Sequence, residues 1–530
     1  MSPLRRSALA AAVLVVLPFA ACDGEPASDP SPPSSGLVVA TSAGKVAGEA
    51  ASGVRAWRGI PFAAPPVGDL RWRPPADAEP WDGVREAEDY GPPCLQGTSS
   101  SLGSGLIDIE GGSEDCLTLN VSRPDDDRGG LPVMVWIHGG SFLHGSGSQP
   151  IYNSPAFVDR GVVLATVNYR LGRLGFFAHP ALSDEPGPEV ANFGILDQVK
   201  ALEWVRDNVE GFGGDASNVT VFGESAGGAS VNALMASPAA DGLFAKAITQ
   251  SGLGREASEG IGAARAEGAQ LVSGLGLDEP TAADLRDVPA KKVMDLPLNL
   301  LTGDVPIVDG TVLPAPVARV FERGEEAAVP YLVGTTDLEV PDFFVQQTGR
   351  DPATVRAAIV GDGGRAAVAA YGGRSALDQH LISDVLFTEP ARHLADEHQT
   401  DAATYLYRFS ITSPDLQQLL GGAPHASEVP FVFDDSAAQR VAGEGAGALA
   451  DTISDYWVAF ATTGRPTHDG APAWPAYDRG RQLMQLTTDG PRPGRDPWTR
   501  RLDAVERGYE TRLGSVLEEL TGSDAGSLPD

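Results

Sequence analysis

Gly223-Glu224-Ser225-Ala226-Gly227, near the middle of the chain, is a G-x-S-x-G pentapeptide. It follows the run Asn218 to Phe222, which reads as a short strand, and precedes small residues able to start a helix. A serine at such a junction sits on a sharp turn with its hydroxyl exposed above a sheet. Glycines on either side let strand and helix pack closely around a strained backbone. The following helix N-terminus presents unpaired N–H groups toward developing negative charge. A chain holding 63 glycines can also produce this pattern as an ordinary Gly/Ser turn. The surroundings therefore decide.

Upstream, Leu131 to Ile137 is a near-continuous apolar run ending at His138-Gly139-Gly140, and Val162 to Val167 is another. Unbroken apolarity suits a strand buried on both faces. Between Asn192 and Gly211, Leu196, Val199, Leu202, Val205 and Val209 recur at spacings of three and four. That period predicts an amphipathic helix, terminated by Gly211, Gly213 and Gly214. Further strands are expected at Ala245–Gln250, Val329–Val333 and Thr404–Phe409. Strands alternating with helices predict an α/β fold, a mostly parallel central sheet with helices on both faces. The stretch from Ser258 to Val320 is Ala- and Gly-rich and reads as helices and loops.

In this setting the serine reads as a nucleophile, which needs backbone donors for a tetrahedral oxyanion and a histidine base. One donor is expected from Ala226, the residue after the serine. Another is expected from the loop His138-Gly139-Gly140-Ser141-Phe142, where glycines let the backbone approach substrate. Eight histidines are available. His138, His144 and His179 precede Ser225, and the base of such a site belongs late in the chain. His393 and His398 lie in a charged helical segment and are expected to be solvated. His380 lies in a segment bridging helices, and His468 sits among Gly, Pro and Asp. His425 follows the strand Thr404–Phe409, is flanked by Gly421, Gly422 and Pro424, and is best placed.

Composition bounds the rest. The 530 residues are 42% hydrophobic, enough for a sizeable core, and carry 39 Lys+Arg against 71 Asp+Glu, a formal charge of −32. No basic stripe is visible, which argues against a nucleic-acid partner. Such acidity disfavours anionic substrates and admits neutral or cationic ones. Arg5 and Arg6 precede an apolar stretch, Ala8 to Ala21, too short to span a bilayer comfortably. It ends in Phe19-Ala20-Ala21-Cys22, which is similar to a bacterial lipobox, and Cys22 is the expected lipidation site. An ordinary signal peptide cut after a small residue is the alternative. Residues 1–22 are thus expected to be a lipoprotein-type signal, and 23–36 a flexible Pro/Ser linker. Residues 37–516 would be the catalytic domain and 517–530 a polar tail. Membrane contact is expected only through the lipid anchor. The other cysteines, Cys94 and Cys116, would pair in an oxidising compartment, or else are two unrelated buried thiols.

Longer motifs sharpen this reading. Trp57-Arg58-Gly59-Ile60-Pro61-Phe62-Ala63 with Pro65-Pro66-Val67-Gly68, then Glu114 to Val121, then Phe222 to Gly228, then His425 to Phe433, resemble in order the signatures of the type-B carboxylesterase family. Cholinesterases and bacterial para-nitrobenzyl esterases belong to that family. The resemblance runs from about Leu37 to about Glu510 and implies the α/β-hydrolase fold. It implies Ser225 as nucleophile, His425 as base and Glu339 as acid. It also implies an oxyanion hole at Gly140, Ser141 and Ala226, and a Cys94–Cys116 disulfide. Thr118 stands where the family has an aromatic, Leu338 where an acidic residue is common, and Val340 where glycine is usual. Spacing after a strand does not by itself choose between Asp337 and Glu339. The expected activity is carboxylic ester hydrolysis, with no metal and no cofactor. Alternatives are a non-catalytic adhesion protein on the same fold, or cleavage of amide, thioester or carbamate bonds.

Overall fold

Leu131–Ile137 is a strand as expected, and its neighbours show why its apolarity is unbroken. Val133, Val135 and Ile137 point into one buried apolar cluster, while Met134 and Trp136 point into another on the opposite face. A strand covered on both sides needs apolar residues at every position. The protein's structure is a computed structural model. It describes residues 37–97, 109, 111–185, 187, 189–255, 260–277, 279–296, 305–347, 349–361, 364–443, 445–509 and 512. Cys22, the signal and linker segments 1–36 and the tail 517–530 lie outside the described residues.

The strands, in chain order, are β1 (Val38–Ala40), β2 (Lys45–Ala47), β3 (Glu49–Ala51), β4 (Val54–Pro61), β5 (Val84–Glu86), β6 (Thr118–Pro124), β7 (Leu131–Ile137), β8 (Val163–Val167), β9 (Gly214–Glu224), β10 (Lys246–Gln250), β11 (Tyr331–Thr336), β12 (Thr404–Phe409), β13 (Gln482–Thr487) and β14 (Gly490–Arg495). β1, β2 and β5 form a small three-stranded sheet. The others form an eleven-stranded sheet in the order β14-β13-β12-β11-β10-β9-β7-β8-β6-β4-β3. From β13 through β8 every neighbour is parallel. Antiparallel strands close both edges. This is the α/β-hydrolase architecture, with the strand ends at Glu224, Gln250 and Thr336 opening on one side of the sheet.

Several elements differ from the sequence reading. β9 begins at Gly214, not Asn218, because Gly214 already pairs with Leu131 of β7, ahead of a register shift that brings Val219 opposite Val133. β11 begins after Pro330 and extends to Thr336, where Thr335 and Thr336 pair with Arg408 and Phe409 of β12. The helix Phe193–Asn208 is buried well beyond its predicted stripe. It hides even Asp197, because Arg170 pairs with that carboxylate at 2.7 Å through Nη2 and 2.8 Å through Nε. A paired, hydrogen-bonded charge is the form in which burial is tolerated. His425 does not follow β12 by a short loop, since the helix Pro414–Leu420 intervenes. His393 and His398 are buried, contrary to the expected solvation. His398 hydrogen-bonds Glu326 at 2.7 Å and the Val329 carbonyl at 2.8 Å. Cys94 and Cys116 form a disulfide, so they are not two free thiols. Among the described residues no helix is long and apolar enough to cross a membrane.

Candidate active site

Ser225 directly follows β9 and occupies the N-cap position of the helix Ala226–Met235. Its backbone, at φ 56° and ψ −122°, lies where a non-glycine residue is strained. The turn is held by the Ser225 N–H donating to the Gln250 carbonyl at 2.9 Å. Close packing beneath it explains the flanking glycine: a Cβ at Gly227 would stand 2.0 Å from the Ile137 carbonyl oxygen. Sequence and geometry agree on the elbow because its glycines are sterically obligatory.

The other two predicted residues stand on loops: Glu339 just after β11, and His425 after the helix Pro414–Leu420. His425 Nε2 is 2.8 Å from Ser225 Oγ. His425 Nδ1 is 2.5 Å from Glu339 Oε2. The second oxygen, Glu339 Oε1, accepts from Ser251 Oγ and from the Thr336 amide, both at 2.7 Å. Ser225 and His425 are partly exposed, while Glu339 is buried. Asp337 does not join this line. Its Oδ1 accepts from the Ala423 amide at 2.7 Å, which ties the loop after β11 to the loop before His425. Leu338 donates its N–H to the Ala423 carbonyl in the same junction. Val340 has no positive φ, so a β-branched residue is tolerated where the family has glycine.

The loop after β7 lies against the elbow. A Cβ at Gly139 would be 3.1 Å from Ser225 Cβ. Gly140, at φ 113°, and Ser141, at φ 57°, turn the chain away. His138 is part of this scaffold: its ring stacks on Tyr169 at 4.5 Å, and the Tyr169 hydroxyl donates to the His138 carbonyl at 2.9 Å. Burial pushes the His138 imidazole down to about 4, so it stays neutral.

Two carboxylates near His425 were not anticipated. Glu224 Oε1 is 3.2 Å from His425 Nε2. Glu428 is buried close by and accepts from Gln250 Nε2 at 3.3 Å. Burial, with Glu339 adding like charge, lifts Glu224 to about 7 against the attraction of His425. Burial and the charges of Glu224 and Glu339 lift Glu428 to about 8. For His425 burial opposes protonation, but the charge of Glu224, the hydrogen bond to Glu339 and the charges of Glu339 and Glu428 outweigh it and raise the imidazole to about 9. Glu224 was within the quoted pentapeptide, yet nothing in that pattern gives it a partner. Ser251 carries no signal beyond a Ser-Gly pair after a strand.

A hydroxyl, an imidazole and a carboxylate in hydrogen-bonded line at the end of a parallel sheet define a serine hydrolase on the α/β-hydrolase fold. The carboxylesterase family profile matches residues 35–359 and 372–503. The chain is 38% identical over 475 residues to the para-nitrobenzyl esterase of Bacillus subtilis (strain 168), covering 85% of this chain and 95% of that protein. It is 36% identical over 470 residues to the fumonisin B1 esterase of Sphingopyxis macrogoltabida, covering 84% and 86%. Among solved structures, a PNB esterase superposes with a TM-score of 0.76 at 34% identity, covering 90% of this chain and 99% of that one. The chain belongs to the carboxylesterase family. It is a carboxylic ester hydrolase, and the adhesion and other-bond alternatives are not favoured.

Proposed function

We propose that Ser225 is the nucleophile, His425 its general base and Glu339 the carboxylate that orients His425. The amides of Gly140, Ser141 and Ala226 would form the oxyanion hole. The unbroken hydrogen-bonded line from Ser225 through His425 to Glu339 carries this reading. In it His425 Nε2 takes the Ser225 proton as Oγ attacks the ester carbonyl, and the hole stabilises the tetrahedral oxygen. The imidazolium returns the proton to the departing alcohol. Water then attacks the acyl-serine with His425 as base again, releasing the acid. The test is covalent labelling with an organophosphate. Intact mass and peptide mapping are expected to place one phosphoryl group on Ser225; label on another residue, or none, would sink the assignment.

The carboxylates around His425 support a pH dependence. Only neutral His425 can accept the serine proton, and its neighbours favour the protonated form. As pH falls, kcat/KM should therefore drop with a midpoint above the ordinary imidazole value of about 6.5. Glu224→Gln, by removing a charge facing Nε2, should move that midpoint down. A wild-type midpoint at or below the ordinary value would contradict this. The same ring of carboxylates, with the formal charge of −32, favours neutral or cationic esters over anionic ones.

We also infer export, with 1–22 a lipoprotein-type signal, Cys22 the acylated residue, 23–36 a linker, 37–516 the catalytic domain and 517–530 a tail. The lipobox-like Phe19-Ala20-Ala21-Cys22 supports this. Fractionation of cells expressing Cys22→Ser should find the esterase released from the membrane fraction. Retention on the membrane would refute the anchor.

A further inference from the structure

We propose that Gln379, His380 and Ser383, on the helix Arg374–Ser383, are positioning residues that hold the loops carrying Glu339 and His425 in mutual register. The proposal rests on the assignment of Ser225, His425 and Glu339 above.

The helix touches both loops through side chains of one short stretch. His380 Nδ1 is 3.0 Å from the Asp337 carbonyl oxygen, two residues before Glu339. A carbonyl can only accept, so Nδ1 carries the proton and donates. Ser383 Oγ accepts from the Val340 amide at 2.9 Å, one residue after Glu339. The chain is thus gripped on both sides of the acid. Gln379 Nε2 donates to the Gly421 carbonyl at 2.6 Å, in the loop leading to His425. The loops also bond to each other, through Asp337 Oδ1 with the Ala423 amide and the Leu338 N–H with the Ala423 carbonyl. Helix and loops therefore form one hydrogen-bonded unit, in which the three side chains bond to the loop backbone rather than to Ser225.

The segment that follows gives this unit a fixed base. Asp384–Thr388 adopts π-helical geometry, an uncommon turn that is frequent at functional sites. The turn places the Phe387 ring 5.0 Å from the His425 ring. Asp384 is fully buried and accepts from the Tyr371 hydroxyl at 2.7 Å and from Arg501 Nη2 at 3.0 Å. The Val385 carbonyl accepts from the Tyr509 hydroxyl at 2.8 Å. The C-terminal residues Arg501 and Tyr509 thereby anchor the turn. Burial, with the nearby charge of Arg501, lowers His380 to about 4, so it remains the neutral donor the geometry requires.

Function would depend on this frame because the Ser225, His425 and Glu339 contacts are short. A displacement of about 1 Å in such an alignment can cost about 100-fold in rate. A purely structural role predicts instead that activity follows stability. The full-length chain is compared with His380→Leu, His380→Asn, Ser383→Ala, Gln379→Ala and Ser225→Ala, measuring kcat and KM on 4-nitrophenyl acetate and the thermal midpoint. His380→Leu should lower kcat by about 10- to 100-fold with KM changed by less than about 2-fold. His380→Asn, whose amide N–H can take the place of Nδ1–H, should restore most of the loss whatever its thermal midpoint. A folded His380→Leu with unchanged kcat overturns the proposal, as does a loss that His380→Asn does not repair. If His380→Leu does not fold, Ser383→Ala and Gln379→Ala decide, each expected to lower kcat about 3- to 10-fold at unchanged KM. Wild-type kcat in both overturns it. Ser225→Ala separates the two levels: if it is silent while the helix variants are normal, only the positioning role fails. If it retains wild-type activity, the site assignment fails first.

Discussion

Ser225→Ala is expected to lower kcat by roughly a million-fold while leaving a folded protein. The size follows from the serine acting as part of a unit. Without Oγ there is no acyl-enzyme, and neither the base nor its carboxylate has a proton to move. What survives is the contribution of the oxyanion donors and substrate binding, about 1,000- to 10,000-fold over water. For the same reason His425→Ala should cost about as much as Ser225→Ala, and the double variant little more than either single one. Folding should hold because the turn is fixed by backbone, through the Ser225 N–H to Gln250 bond and the packing of Gly227 under Ile137. Alanine adds no atom there. The measurement is kcat on a simple aryl ester with protein from an esterase-free host, and circular dichroism as the control for folding. A Ser225→Ala enzyme within about 100-fold of wild type would mean that a different group forms the acyl bond.

What the sequence disclosed and what it hid divide along a physical line. β7, β12 and the elbow were legible because each is dictated locally, β7 by apolarity at every position, β12 by its run of aromatic and β-forming residues, and the elbow by glycines that a Cβ would displace. The helix Pro414–Leu420 was overlooked although Ser413 caps it by accepting from the Leu416 amide at 3.2 Å. It buries none of its residues, so no apolar period marked it. His393 and His398 look solvent-facing in the sequence because their helix is rich in charge, yet both are buried. Their partners lie far away in sequence: Glu326 for His398 and Glu322 for His393. A charge whose partner is distant looks solvated to any local reading. The carboxylates Glu224 and Glu428 and the hydroxyl of Ser251 gain their place in the site only when three strand ends and two loops converge. His380 shows the same limit. It was set aside as a base, and its contact with the Asp337 carbonyl could be seen only in three dimensions.

The choice between Asp337 and Glu339 was also tertiary, and it leads to the second large effect. Glu339→Gln should lower kcat/KM about 10,000-fold by analogy with the serine-protease triad, whereas Asp337→Asn should be near neutral. The carboxylate's surroundings explain why an amide cannot substitute. Glu339 Oε1 faces two donors, the Ser251 hydroxyl and the Thr336 amide. In the glutamine variant that position selects the amide oxygen, which leaves the NH2 group pointing at His425 Nδ1. Facing a donor, Nδ1 becomes an acceptor and the ring proton moves to Nε2. Nε2–H then confronts Ser225 Oγ and can no longer take its proton. Stabilisation of the imidazolium is lost in the same substitution. Asp337 makes a different demand: its Oδ1 only has to accept from the Ala423 amide at 2.7 Å, which an asparagine oxygen does equally well. Burial, opposed by that Ala423 bond, raises the Asp337 carboxyl to about 6, so neutralising the group removes little. Measuring kcat/KM for both variants on one aryl ester, with circular dichroism to confirm that each is folded, gives the ranking. A silent Asp337→Asn beside an active Glu339→Gln would move the acid to Asp337 and undo the geometry proposed for the site.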